Sequence, residues 1–395
     1  MQHLLSCGLA LSLSFVACSP QKVKRMIKGQ PPVEQVQTTD TNAKPPSERW
    51  IMPYYTAYEQ DSLPVEKIDF SLMTHIAIAR IVPNADGSID TSMDGHESSG
   101  VLAKLTKAAH EADKKVIVMV GGAGAVDGWV GATQAGNIGR FVEALVAFAH
   151  VNHVDGLDLD WEPIKKETEP VLLDVAKRIR AVDPKLLLTF PAEWAHGFQP
   201  ETIRALAERF DRVNIMSYEM AGPWGGIGGW DVWHSGALYG HTDKTPSSVD
   251  FSVAQFLKSE FPREKLGIGI GAYGQCWAGG AARPHGSIEG LHIESNDHKM
   301  PYRRVSEEFV PKGKREWDAE ARVPFLTFDT PTGAEGCRMM SYEDPESARE
   351  KGAYLASRQL GGAIMWTLSQ SYVPSAAKPF PLLSALREGW SAAKP

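Results

Sequence analysis

Three carboxyl side chains stand at every second position in the run VDGLDLDWEP, residues 154–163: Asp158, Asp160 and Glu162. Leu157, Leu159 and Trp161 fill the alternate positions. On a β-strand the period of two sends the three carboxyls to one face and the apolar set to the other. A row of carboxyls inside a fold cannot be ionised cheaply, so the groups share protons and raise one another's pKa. Glu162, last in the row, is placed to keep a proton near neutral pH and donate it as a general acid. A solvated acidic strand and a cation site are the bland alternatives. The apolar opposite face argues against the first, and a divalent cation usually draws ligands from several segments.

Such a row needs a scaffold. Eight short apolar runs predict strands: WIMPYYTAY, MTHIAIARIV, KVIVMVGG, VDGLDLDWE, LLLTFPAEW, VNIMSYEM, KLGIGIGAY and GGAIMWTLS. Between them VLAKLTKAAHEADK, IGRFVEALVAFAHV, PVLLDVAKRIRAV, ETIRALAERF and PESAREKGAYLASRQL carry apolar residues at helical spacing. This alternation predicts an α/β fold, a parallel (β/α)8 TIM barrel over about 49–395. In it the acidic face is the interior, and its C-terminal end is the mouth where barrel sites lie. The stretch from about 275 to 340, with GGAARPHG, PYRR and the alternating VPFLTFD, breaks the rhythm between the seventh and eighth strands. It is expected to be a small α+β insertion walling one side of a cleft, since long structureless loops are rare in compact domains.

The 395 residues carry a formal net charge of -7, which provides no basic field for nucleic acid. No zinc spacing, Walker loop or dinucleotide fingerprint is present, so neither a metal nor a cofactor is expected. The first 18 residues, ending FVAC, form an apolar stretch of signal-peptide length. The export signal could be of lipoprotein type, with Cys18 as the lipidated residue, or a plain cleaved leader. Lys22, Lys24, Arg25 and Lys28 follow the apolar run rather than precede it. Residues 19–48 are polar and Pro-rich and read as a flexible tether. The expected location is therefore the cell envelope or the exterior, with any membrane attachment through the lipid alone and the protein a monomer. Cys276 and Cys337 could pair there, or remain two buried thiols. Several Trp lie in Gly-rich segments such as GPWGGIGGWDVWHSG, where indoles offer flat apolar faces to sugars.

The run DGLDLDWE resembles the signature of family 18 glycoside hydrolases, the chitinases, at every acidic position. The resemblance extends from about Trp50 to Leu386, with PYYTAY similar to the family's first strand, THIAIARIVPNADGSI to its second and FDRVNIMSYEMAGPW to its sixth. It implies cleavage of β-1,4 bonds in chitin or related N-acetylglucosamine glycans, with Glu162 protonating the glycosidic oxygen. The substrate's own acetamido oxygen would then attack the anomeric carbon, so that no protein nucleophile is needed. The resemblance also assigns Asp160 to orienting the acetamido group, Asp158 to sharing its proton, and Tyr218 to a hydrogen bond with that group. Trp366 would form the floor under the sugar, Met216 would line the pocket and Tyr54 would support the inner aspartate. Trp224, in the loop after the sixth strand, is a candidate stacking platform; Trp129, Trp230, Trp233 and Trp277 are weaker ones. Tyr54, Met216 and Trp366 could equally be core packing on their own residue types.

After Trp366 the run TLSQSY stands where the family often has acidic residues, and two positions nearer the acids also depart from the family's pattern. Met119 in MVGG stands where the third strand usually carries a serine whose hydroxyl would bond the inner aspartate. Glu219 stands where an aspartate usually follows the sixth-strand tyrosine, keeping the charge on a longer stem. An endo-β-N-acetylglucosaminidase and a peptidoglycan hydrolase use the same acetamido chemistry, so the signature does not separate them from a chitinase. A chitin-binding lectin would typically lose the terminal acid, which Glu162 retains.

Overall fold

The computed structural model describes residues 49–96, 100–222, 230–294 and 297–392. The expected leader, tether and Cys18, together with Trp224, lie outside the described residues. Fourteen strands run in chain order: β1 (Trp50–Thr56), β2 (His75–Pro83), β3 (Ile89–Asp90), β4 (Lys115–Gly121), β5 (Gly156–Asp160), β6 (Leu187–Glu193) and β7 (Arg212–Met216). They continue as β8 (Leu266–Gly271), β9 (Gln275–Ala278), β10 (His292–Ile293), β11 (Lys314–Asp318), β12 (Val323–Thr332), β13 (Cys337–Ser341) and β14 (Gly362–Trp366).

Eight of these, β1, β2, β4 to β8 and β14, pair in parallel, and β14 returns to β1 to close the barrel. Each of the eight runs expected to be a strand contains one of them. Strand alternation separates two apolar sets. Ile51, Tyr55, Ile76, Ile78, Val116, Val118, Leu157, Leu159, Val213 and Ile215 join the core between barrel and helices. Met52, Tyr54, Ala77, Ala79, Ile117, Met119, Met216 and Ile364 fill the barrel interior. At the floor Trp50 Nε1 donates to Asn214 Oδ1 at 3.0 Å, with the Arg212 guanidinium over its ring. β3 is antiparallel to β2 and lies outside the barrel.

The five expected helices are present, as Val101–Glu111, Ile138–Val151, Glu169–Val182, Pro200–Arg209 and Pro345–Ser357. Helices Val249–Lys258 and Pro381–Ala392 are not among the expected runs, although the second buries Leu382, Leu383, Leu386 and Trp390 at helical spacing. The first is rich in β-branched and aromatic residues with weak helix propensity, and its Ser248 cap supplies the start by accepting from Phe251 N.

Between β8 and β14 a second sheet, antiparallel in the order β10-β9-β13-β12-β11, stands beside the barrel mouth. Tyr302 N bonds Ala272 O at 2.8 Å and Gly274 N bonds Met300 O at 2.8 Å, tying it to the end of β8. Cys276 on β9 and Cys337 on β13 are disulfide-bonded. Trp233 and Trp277 lie in the core between this sheet and the loop after β7. Both are fully buried, Trp230 is 5% exposed, and Trp129 stacks on Trp161 with centroids 5.0 Å apart. None of these four is therefore a stacking platform.

Candidate active site

β5 carries Asp158 and Asp160 into the barrel interior, and Glu162 follows just past the strand end, partly exposed at the mouth. Asp158 is fully buried. Its Oδ2 accepts from the Tyr54 hydroxyl on β1 at 2.5 Å, and its Oδ1 accepts from the Thr189 hydroxyl on β6. Register explains the second bond: Asp158 lies beside Met119 on one side and Thr189 on the other. The hydroxyl absent from β4 is supplied by β6. Burial raises the Asp158 carboxyl to about 6, and the two O–H donors oppose that rise.

Asp160 is raised well above the ordinary carboxyl range by desolvation, then by the charges of Glu162, Asp158 and Glu193. Its Oδ1 is buried and has no hydrogen-bond partner among the described residues. Glu162 is raised by desolvation, against the pull of its hydrogen bond with Asp160, the charge of Arg80 and the Ala123 N–H. Two carboxyls in direct hydrogen-bond contact cannot both be ionised cheaply, so the pair holds one proton between them. A shared proton beside an unpaired carboxylate oxygen is equipment for protonating one ligand atom while accepting from an N–H nearby.

Around this row the chain brings together side chains from distant strands. Met216 at the end of β7 packs in the interior cluster with Tyr218 and Trp366 against it. Tyr218 is raised well above the phenol range by desolvation, then by Glu162 and Asp160, which places its hydroxyl in their field. The Trp366 ring lies 5.4 Å from that of Tyr54. Glu219 adopts φ 52, with its N–H on Ser235 Oγ at 3.0 Å. Its carboxyl, accessible from the cleft, is raised to about 7 by desolvation and by Asp297, while a bond from Tyr273 opposes this.

Four residues of the site escaped the sequence reading. Thr189 was legible only as one of two polar residues, with Glu193, on the period-two face of LLLTFPAEW. Arg80 lies in an otherwise apolar strand, and Tyr273 at the end of the seventh apolar run. Asp297 belongs to the insertion and donates nothing to any pattern, yet its Oδ2 accepts from Trp366 Nε1 at 2.7 Å. Among the described residues no group of three His, Cys, Asp or Glu is arranged to hold a metal ion.

Fold and site together define a barrel with a general-acid centre at the C-terminal end of its fourth barrel strand. Comparison with known proteins gives the family: residues 50–371 match the model for glycosyl hydrolases family 18, and the chain belongs to that family. It is 25% identical over 397 residues to a chitinase-like effector of Moniliophthora perniciosa, covering 85% of this chain and 86% of that protein. It is 26% identical over 337 residues to a probable chitinase 2 of Drosophila melanogaster, covering 78% and 68%. The Group IV chitinase of Ostrinia furnacalis in complex with allosamidin superposes with a TM-score of 0.73 at 20% identity, covering 88% of this chain and all of that one. At that identity the likeness concerns the fold.

Proposed function

We propose that this protein is a chitinase, cleaving β-1,4 bonds between N-acetylglucosamine units with retention through the substrate's own acetamido group. The observation that carries the reading is the row of Asp158, Asp160 and Glu162 leading to the barrel mouth, its last two carboxyls raised by desolvation and Asp158 held behind them by Tyr54 and Thr189. Glu162 hands its proton to the glycosidic oxygen. The buried Oδ1 of Asp160, without a partner among the described residues, accepts from the acetamido N–H and turns the carbonyl oxygen toward the anomeric carbon. As that oxygen attacks, the bond to the glycosidic oxygen breaks and the leaving sugar departs with the Glu162 proton; the positive charge on the closed ring is stabilised by the Asp158–Asp160 carboxyls, and water deprotonated by Glu162 then opens it. Tyr218 donates to the acetamido oxygen, and Trp366 lies beneath the distorted sugar.

The same reading places the chain outside the cytoplasm. The apolar opening segment and the Cys276–Cys337 disulfide support this.

Glu162→Gln removes the transferable proton and keeps the shape. Turnover of chitin hexamer is expected to fall by at least about 100-fold, with the dissociation constant for the hexamer unchanged within about threefold by calorimetry. Cleavage persisting at the original rate would end the assignment. Running an N-glycoprotein and peptidoglycan beside the hexamer ranks the other acetamido substrates in the same assay.

A further inference from the structure

β2 contains an irregularity beside the acid pair. Ile78 pairs with Val118 and Ile81 with Val120, so three steps of β2 run against two of β4. Ile78 and Ile81 both face the outer core and Ala79 the interior, and Arg80 between Ala79 and Ile81 lays its guanidinium on the turn after β4 at the barrel rim. Irregularities of this kind at barrel rims re-aim a side chain. Here the re-aimed side chain is a cation.

The Arg80 guanidinium stitches the turn that follows β4. Its Nη1 donates to Gly121 O at 2.9 Å and Ala123 O at 2.8 Å, and its Nε lies 3.3 Å from the Asp94 carboxylate. The same turn serves the acid pair: Gly122 N bonds Asp160 O at 2.7 Å, and the Ala123 N–H favours the ionised Glu162 carboxyl. Gly122 itself has φ 81, and a Cβ there would lie 3.3 Å from Arg80 Nη1 and 3.6 Å from Asp160 Oδ2. The guanidinium and the Asp160 carboxylate thus flank one glycine. The groups that bear on the pair are Asp158 on its own strand β5 and, from other elements, Glu193 on β6 and Tyr218 and Glu219 after β7, with Tyr54 of β1 on Asp158. Against these acids and phenols Arg80 is the cation that bears on Glu162.

The geometry points to Arg80 as the positioning residue of the proton donor: it pins the turn 121–123 against Glu162, supplies the counter-charge of the acid pair, and so sets the upper pH limit of proton donation. Asp94 shares the guanidinium and moderates the effect. The inference rests on Glu162 being the proton donor, though not on the identity of the sugar.

The sign follows from the charges. Removing the cation disfavours ionised Glu162, so its midpoint rises; removing Asp94 leaves the cation unshared, so the midpoint falls. The test is a ¹³C NMR titration of the full chain labelled at Glu carboxyls, with Glu162 assigned by Glu162→Gln. In Arg80→Gln the Glu162 midpoint is expected to rise by roughly one pH unit, the low end for loss of an adjacent opposite charge. Arg80→Lys should recover at least about half of that shift, and Asp94→Asn should move the midpoint the other way. The alkaline limb of kcat on a chromogenic chito-oligosaccharide should follow these midpoints.

An unchanged midpoint in Arg80→Gln overturns the assignment. If that variant does not fold, Asp94→Asn decides, because it leaves both carbonyl bonds intact: a midpoint that stays or rises overturns it. Wild-type protein that fails to cleave chito-oligosaccharides while the midpoints shift as stated refutes the chitinase reading and upholds Arg80.

Discussion

At the seam where helix Pro345–Ser357 meets the loop after β7, Lys351 is fully buried and donates to Glu343 and to Gly236 O at 2.6 Å. Ser347 gives Glu343 another bond at 2.7 Å. At the barrel mouth three carboxyls stand together, and the one guanidinium bearing on Glu162 is shared with Asp94. Both regions take charge out of water, at a cost of several kcal/mol per ion. At the seam each charge meets its opposite, and Lys351 Nζ has two acceptors, Glu343 and Gly236 O. At the mouth like charges face one another, and Asp160 Oδ1 has no partner among the described residues. Burial with pairing gives a rigid joint, whereas burial without it gives raised pKa values and a proton ready to move.

The joint also serves the site. A Cβ on Gly236 would sit 2.3 Å from Glu343 Oε1, so glycine lets the loop reach the pair. The neighbouring Ser235 then binds Glu219 N through its Oγ at 3.0 Å and Met220 N through its carbonyl at 2.9 Å. The seam thereby fixes the loop that carries Glu219.

The largest effect expected from breaking this contrast is at the seam. Lys351→Met leaves Glu343 buried without its counter-ion and should cost about 3–5 kcal/mol in urea unfolding at pH 7. Adding Glu343→Gln should recover part of it. A loss below about 1 kcal/mol would mean that the seam pair is not a structural joint.

At the mouth the opposite sign is expected. Asp158 is raised from 3.8 to about 6, so its ionisation destabilises the fold. The contribution to stability is fully present below pH 3.8 and is lost as pH rises through about 6. Asp158→Asn should therefore gain up to about 3 kcal/mol at pH 7 and nothing near pH 3.5, while turnover falls. Unfolding midpoints of both proteins at the two pH values check it, and destabilisation at pH 7 would contradict a strained mouth.

The smallest change lies where the two regions touch. Asp297→Ala removes the insertion's acceptor from the Trp366 indole. One hydrogen bond is worth about 0.5–1.5 kcal/mol, so KM for chitotetraose should rise about three- to tenfold with kcat less affected. Loss of the Asp297 charge should also lower the titration midpoint of Glu219. A pure kcat effect would place Asp297 elsewhere in the mechanism.

The sequence by itself determined the barrel and the acid row. Period two in DGLDLDWE and the repeated alternation of apolar runs with helical patterns are local properties, set by backbone geometry and by which face of each element must leave water. Asp158, Asp160 and Glu162 are adjacent in the chain, so their grouping needed no tertiary information. Only the tertiary structure decided what surrounds them. Thr189 reaches Asp158 because β5 and β6 pair in one register, Arg80 reaches the turn after β4 beside an irregularity between β2 and β4, and Asp297 arrives from an insertion 69 residues before Trp366. The same holds for Trp129, Trp230, Trp233 and Trp277, where burial overruled the look of the flanking residues. Strand register and the seating of a distant loop are long-range choices, settled by the packing of the whole barrel.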